Sequence, residues 1–245
     1  MRYSYPYFNN GELDSNSLSG KKDRLISRAW GYSQLNMHKE AVAECEKLVK
    51  IDLDDASSYI YLGFYYEKNG EKEKAIECYK YMMKTFPYNS ESYINLGYIF
   101  EKQEKRNDMA RVCYEKALEL NPDDEWAINN IGALLQKEGK WKEALPYYKN
   151  AYEASKLTGE ANNLILHNLA WAYYNCKEYN EAMLLYRQLV NEESDNAEIH
   201  SDLGCVLCKM GRFNDALASF ESALKLSSGI RRYKRLYRFA DSHQK

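Results

Sequence analysis

Small residues recur along this chain with a period close to 34. Ala29, Gly63, Gly97, Gly132, Ala170 and Gly204 are separated by 34, 34, 35, 38 and 34 positions. A second series, Ala41, Ala75, Ala110, Ala144, Ala182 and Ala216, follows the first at an offset of 12, or 13 in the third instance. A period this short marks a stacked-repeat architecture, in which no unit buries its apolar face alone and the neighbours supply the core. Around the first series, Tyr59, Leu62, Gly63 and Tyr66 share one face of a helix; around the second, Ala75, Tyr79 and Met82 do the same. Gly70, Gly139 and Gly211 fall between the two series and read as turns. Each unit is therefore a pair of amphipathic helices, and nothing in the pattern indicates a strand.

These residues resemble the tetratricopeptide repeat, whose signature runs from an aromatic or apolar residue through Leu-Gly and Tyr to a later Ala, Phe or Tyr, Ala and Pro. The second unit supplies Tyr59, Leu62, Gly63, Tyr66, Ala75, Tyr79, Met82 and Pro87, and the third Tyr93, Leu96, Gly97, Phe100, Ala110, Tyr114, Ala117 and Pro122. The resemblance covers residues 22–230 as six units, 22–55, 56–89, 90–124, 125–162, 163–196 and 197–230. It implies an all-α, right-handed superhelical solenoid of helix-turn-helix repeats. The first unit departs from the pattern with Arg28 in place of Leu, and units four to six lack the closing proline. Four extra residues near KLTGE, 156–160, predict an irregularity between units four and five.

The segments outside the repeats read differently. Residues 1–21 are expected to be a flexible tail, because Pro6, Gly11, Ser15, Ser17 and Ser19 interrupt any helical pattern. Its Tyr3, Tyr5, Tyr7 and Phe8 are candidates to dock in a groove or pack on the first helix. At the other end, residues 231–245 are expected to form a basic capping helix and tail, with Ile230, Tyr233, Tyr237 and Ala240 at helical spacing.

Composition limits the function classes. The formal charge is -2, and no run of about 18 apolar residues occurs, so no membrane span is expected. The opening MRYSYPYFNNGELDSNSLSG lacks the apolar run of a secretory signal. Six dispersed cysteines sit where small apolar residues would, which points to reduced thiols and a cytoplasmic location. Cys205 and Cys208 form a lone CxxC, two ligands short of a structural zinc site, with His200 the one nearby candidate. No metal or other cofactor is expected. The four histidines have no positioned catalytic partners in sequence and no phosphate-binding glycine loop is present, so the chain does not read as an enzyme.

Binding is the remaining role. Asn95, Asn130 and Asn168 each stand two residues ahead of the small residue of their unit. On a helical wheel Asn95 lies 100° to 200° from Tyr93, Leu96, Gly97 and Phe100, off the face that packs its own hairpin. The family resemblance implies that this stripe lines a concave groove. Tyr61, Phe64, Tyr98, Trp126, His167 and Trp171 belong to the same stripe. An Asn both donates and accepts, so a row of them could hold the main chain of an extended peptide or a partner helix, with aromatics supplying apolar area. The same amide could instead bond to a neighbouring repeat, and the aromatics could pack between successive first helices. The basic clamp by which some family members hold a carboxylate terminus is missing: Ile26, Trp30, Tyr61, Glu91 and Asn95 occupy the corresponding places. A second reading uses residues 229–245, where six cations face Asp241 and leave a formal charge of -7 elsewhere. Such a patch could attract nucleic acid, with Tyr233 and Tyr237 for stacking, or serve a regulatory adaptor; as a solvated cap it needs no ligand, and nucleic acid is the less expected partner.

Overall fold

The computed structural model describes residues 17–102, 105–157, 162–227 and 229–243. Among them are thirteen α-helices and no strand. The first helices of the hairpins are α1 (Leu18–Gln34), α3 (Ala56–Lys68), α5 (Ser90–Lys102), α7 (Glu125–Lys137), α9 (Asn163–Asn175) and α11 (Ala197–Lys209). Their partners are α2 (His38–Ile51), α4 (Lys72–Thr85), α6 (Asn107–Leu120), α8 (Trp141–Leu157), α10 (Tyr179–Glu192) and α12 (Phe213–Leu226), and α13 (Arg231–Ser242) follows. The chain divides into two compact units, residues 1–122 with α1 to α6 and residues 123–245 with α7 to α13.

Start signals differ between the two classes of helix. Most first helices carry a side-chain cap: Asp55, Asp124, Asn162 and Asn196 each accept from amides in the first turn, and Asn89 accepts from Ser92 N at 3.0 Å. Ser17 does this for α1, accepting from Gly20 N at 3.0 Å. The helix thus starts at Leu18, and Ser17 and Ser19, read from sequence as helix-breaking, are its cap and its second residue. The rest of that expected tail, residues 1–16, lies outside the described residues.

Helices α2, α4, α6, α10 and α12 lack such caps, and all six second helices follow a left-handed residue instead. Gly70 has φ +81°, and the register-equivalent residues in units one, three and five are Asn36 (φ 57°), Lys105 (φ 54°) and Lys177 (φ 67°). All six left-handed residues stand five positions before the alanine of the second series. A side chain in this conformation costs about 1–2 kcal/mol, which glycine avoids at some entropic cost. Lys177→Gly is accordingly expected to raise stability by about 0.5–1 kcal/mol, read from the midpoint of urea unfolding; a drop would show that the Lys177 side chain supports the turn.

Both cores form where the first and second helices meet. In the first unit Ala41, Leu48, Ala75, Tyr79, Met82, Leu96, Ile99 and Tyr114 are buried; in the second, Leu166, Ala170, Tyr186, Leu189, Leu203, Val206, Phe220 and Ala240 form one cluster. Leu62, Leu96, Ile131, Leu169 and Leu203 are buried at one register position, where unit one has Arg28. That side chain is 58% exposed and reaches Glu44 Oε1 on α2 at 3.4 Å. The departure from the repeat pattern thus solvates a face that the other hairpins bury. Helix α8 has 17 residues where the other second helices have 14, and the residues that follow it, 158–161, lie outside the described set.

Candidate functional site on the first helices

The amide row divides when the contacts are traced. Asn168 Nδ2 donates to Asn129 Oδ1 at 2.9 Å, joining α9 to α7. One repeat later, His167 Nε2 and Asp202 Oδ2 lie 3.0 Å apart, joining α9 to α11. Both contacts obey one rule. The residue two before the small residue of a repeat meets the residue three before the small residue of the preceding repeat. For Asn95 that earlier residue is Ile60, which has no polar group to offer. Asn95 is only 2% exposed, and its Nδ2 has no hydrogen-bond partner. The expectation of a solvent-facing amide is corrected here: a single-helix wheel excludes Asn95 from its own hairpin's seam but omits the covering by neighbouring helices. Asn130 and Asn168 stay half-buried.

Asn129 is a bracing residue that the sequence reading passed over. It sits one position before Asn130, is 4% exposed and accepts the Asn168 bond. Comparing adjacent repeats at two neighbouring positions, rather than one, would have found it. Asn168→Ala is expected to cost about 1–3 kcal/mol because it strands the buried Asn129 oxygen, whereas Asn95→Leu, which removes an already unpartnered N–H, should be close to neutral. Thermal melts of the two variants decide this; equal shifts would remove the bracing role.

Aromatic side chains keep more of their surface. In the first unit Trp30, Tyr61, Phe64 and Tyr98 are half-buried. Lys68 Nζ stands 5.4 Å from the Phe64 ring centre and Lys102 Nζ 5.8 Å from that of Tyr98, one turn on. Burial and the charge of Glu67 push the Tyr98 phenol up; burial and Glu91 do so for Tyr61. Both stay protonated and able to donate at neutral pH. Tyr61 also lines a cleft of about 390 Å³ with Leu18, Lys22, Asp23, Ile26 and Asp55. Lys22 bridges Asp52 at 3.1 Å and Asp55 at 2.7 Å. Burial raises the Asp55 pKa, but bonds from Lys22 and Ser58 outweigh it and hold the carboxyl below its ordinary value.

In the second unit Trp126, His167 and Trp171 are half-buried. Trp171 stacks on Tyr174 at 5.0 Å and 15°, and Tyr174 meets Tyr179 at 5.8 Å. His167 meets the buried Tyr186 ring edge-on at 5.5 Å. Asp202, 4% exposed, receives a second contact from Arg232 of α13, at 3.4 Å. The structure thus brings His167 and Asp202 together and ties both to the last helix.

Chemistry beyond binding finds little support in these groups. All six cysteines are free. Burial pushes the Cys78 thiol up to about 12 and those of Cys113 and Cys205 to about 11, far from a nucleophilic thiolate. His200 Nε2 lies 2.9 Å from the Ser194 carbonyl oxygen. Helix α13 also carries two tyrosines. Tyr233 is buried on the face that packs, and Tyr237 is half-buried with its hydroxyl donating to Glu221 at 3.4 Å, so α13 presents no fully exposed tyrosine ring. No helix among the described residues is long and apolar enough to cross a membrane.

Comparison with known proteins agrees with this architecture. Family models described as tetratricopeptide repeat match residues 25–55, 56–80 and 90–124, residues 123–191, and residues 197–229. The chain is 30% identical to the mouse (Mus musculus) Cell division cycle protein 16 homolog over 139 residues, which is 55% of this chain and 22% of that protein. It therefore spans only about a fifth of that relative's length. Among solved structures, the anaphase-promoting complex (APC/C) hetero-tetramer Cut9-Hcn1 superposes with a TM-score of 0.75 at 20% identity, covering 93% of this chain and 46% of that one. YrrB, described as a TPR protein with an unusual peptide-binding site, gives 0.61 at 19% identity, covering 81% and 97%. With the recurring small residues and the helical hairpins that they build, these matches establish that the chain belongs to the tetratricopeptide repeat family.

Proposed function

We propose that this chain is a non-catalytic interaction scaffold that holds an extended peptide or a partner helix along the exposed faces of its first helices. The observation that carries this reading is that each unit keeps half-buried aromatics on its first helices, Trp30, Tyr61, Phe64 and Tyr98 in one and Trp126 and Trp171 in the other. Large rings give apolar contact area at low entropic cost, and a binding surface needs a few such anchors. Half-buried Asn130, Asn168 and His167 supply polar contacts beside the rings, whereas buried Asn95 is not presented to a ligand. Similar proteins support the same reading, since one is part of the hetero-tetramer Cut9-Hcn1 and another carries an unusual peptide-binding site. Free thiols in all six positions suit a reducing, cytoplasmic setting. No cofactor is required.

Selection from a random-peptide display library on the immobilised protein tests the reading. Enriched peptides should bind the wild type and lose affinity in a Phe64→Ala, Tyr98→Ala variant. Failure to enrich any peptide, or enrichment of peptides indifferent to both rings, would set the groove assignment aside.

A further inference from the structure

Helix α13 carries Arg231, Arg232, Lys234, Arg235 and Arg238 against one acid, Asp241. Buried Tyr233 and Ala240 mark the face that it lays on the rest of the unit, and Ala240 joins the core cluster that includes Ala216, Leu217 and Phe220 of α12. At 100° per residue, Arg231, Lys234, Arg235 and Arg238 fall within an arc of about 100° on the other side, along roughly 10 Å of helix. All four are exposed, and none has an ion-pair partner among the described residues. Arg232, outside that arc, is the cation drawn to Asp202.

This arrangement opposes the helix that bears it. Like charges three and four residues apart repel. The first turn of a helix favours acids, yet α13 has none there and begins with Arg231 and Arg232. A face needed only for solvation would be satisfied by charges of both signs, which repel less.

We infer that the exposed face of α13 docks an acidic polypeptide segment bearing an apolar side chain. Four cations in one stripe, unpaired among the described residues, complement a run of carboxylates. Beside the stripe Phe239 is 50% exposed and lies 4.3 Å from the His243 ring, which in turn lies 5.6 Å from Phe213. This aromatic edge gives the apolar side chain a seat. Nucleic acid would find the cations and one exposed ring, Phe239, rather than a platform for successive bases, because Tyr233 is buried and Tyr237 is half-buried beside Glu221. A bilayer would also find little to take, since the apolar face of α13 is already spent on the core.

The test uses the full chain and a labelled peptide of glutamates with two leucines, followed by fluorescence anisotropy at low salt. Controls are the same peptide with glutamine for glutamate, an all-glutamate peptide, a single-stranded oligonucleotide of equal charge, and phosphatidylserine vesicles. The acidic peptide should bind at least about tenfold more tightly than each control, and Arg231→Gln, Lys234→Gln, Arg235→Gln and Arg238→Gln combined should cost about tenfold or more. Because that variant relieves repulsion, its melting temperature should hold or rise. Phe239→Ala should weaken the leucine-bearing peptide about threefold or more and leave the all-glutamate peptide unchanged. Acidic-peptide binding that survives the fourfold substitution, or oligonucleotide or vesicle binding as tight as that of the peptide, overturns the proposal.

Discussion

Gly204→Ala is expected to lower stability by about 1–3 kcal/mol through overpacking, although alanine is the better helix former by about 1 kcal/mol. A β-carbon at Gly204 would lie 2.5 Å from Phe220 Cε1 and 2.8 Å from Cδ1 and Cζ. The Phe220 ring is fully buried, so it has no solvent side to retreat to. Gly132 is the control: its β-carbon would meet Tyr148 Cε1 at 3.1 Å, a contact that a shift of a few tenths of an ångström relieves. Gly132→Ala should thus be close to neutral. A double-mutant cycle with Phe220→Leu should return a coupling of about 1 kcal/mol between the positions. Equal unfolding midpoints for Gly204→Ala and Gly132→Ala would show that ring contact does not set the requirement for glycine.

The same contact explains why the fold was legible in the sequence. A small residue is required wherever a second-helix ring presses on the first helix, so the requirement recurs with the repeat: Gly63 meets Tyr79, and Gly97 meets Tyr114. Unit one keeps Ala29 and has Cys45 at the register of the rings, a smaller pair in which a β-carbon and a short side chain replace glycine and an aromatic. Turns were half legible. Gly70, Gly139 and Gly211 announce left-handed backbone, but Asn36, Lys105 and Lys177 adopt it without that signal, because the flanking helices fix the turn. The candidate site was legible in kind and less so in detail. A helical wheel sets Asn95 apart from Tyr93, Leu96, Gly97 and Phe100, yet the residue is buried, because a wheel of one helix says nothing of what the rest of the fold lays over it. The braces at Asn129 and Asp202 depend on pairs of residues some 35 to 39 positions apart, and no single-repeat pattern records them.

Those braces alter the balance of what should matter for ligand binding. Asn168 is committed to Asn129 and Asn95 is enclosed, so the rings rather than the amides should carry most of the grip. Truncating both Phe64 and Tyr98 to alanine is expected to cost a selected peptide about 2 kcal/mol or more, the scale of aromatic anchors, which is about thirtyfold in Kd. Losing one hydrogen bond in Asn130→Ala should cost about 0.5–1.5 kcal/mol, at most about tenfold. The rings are half-exposed, and their lysine contacts at 5.4 and 5.8 Å lie on the surface, so the helical signal should persist in the double variant. Anisotropy titrations of one peptide against both variants separate the contributions. A larger loss in Asn130→Ala than in the ring variant would mean that main-chain hydrogen bonding, and not apolar area, holds the ligand on these helices.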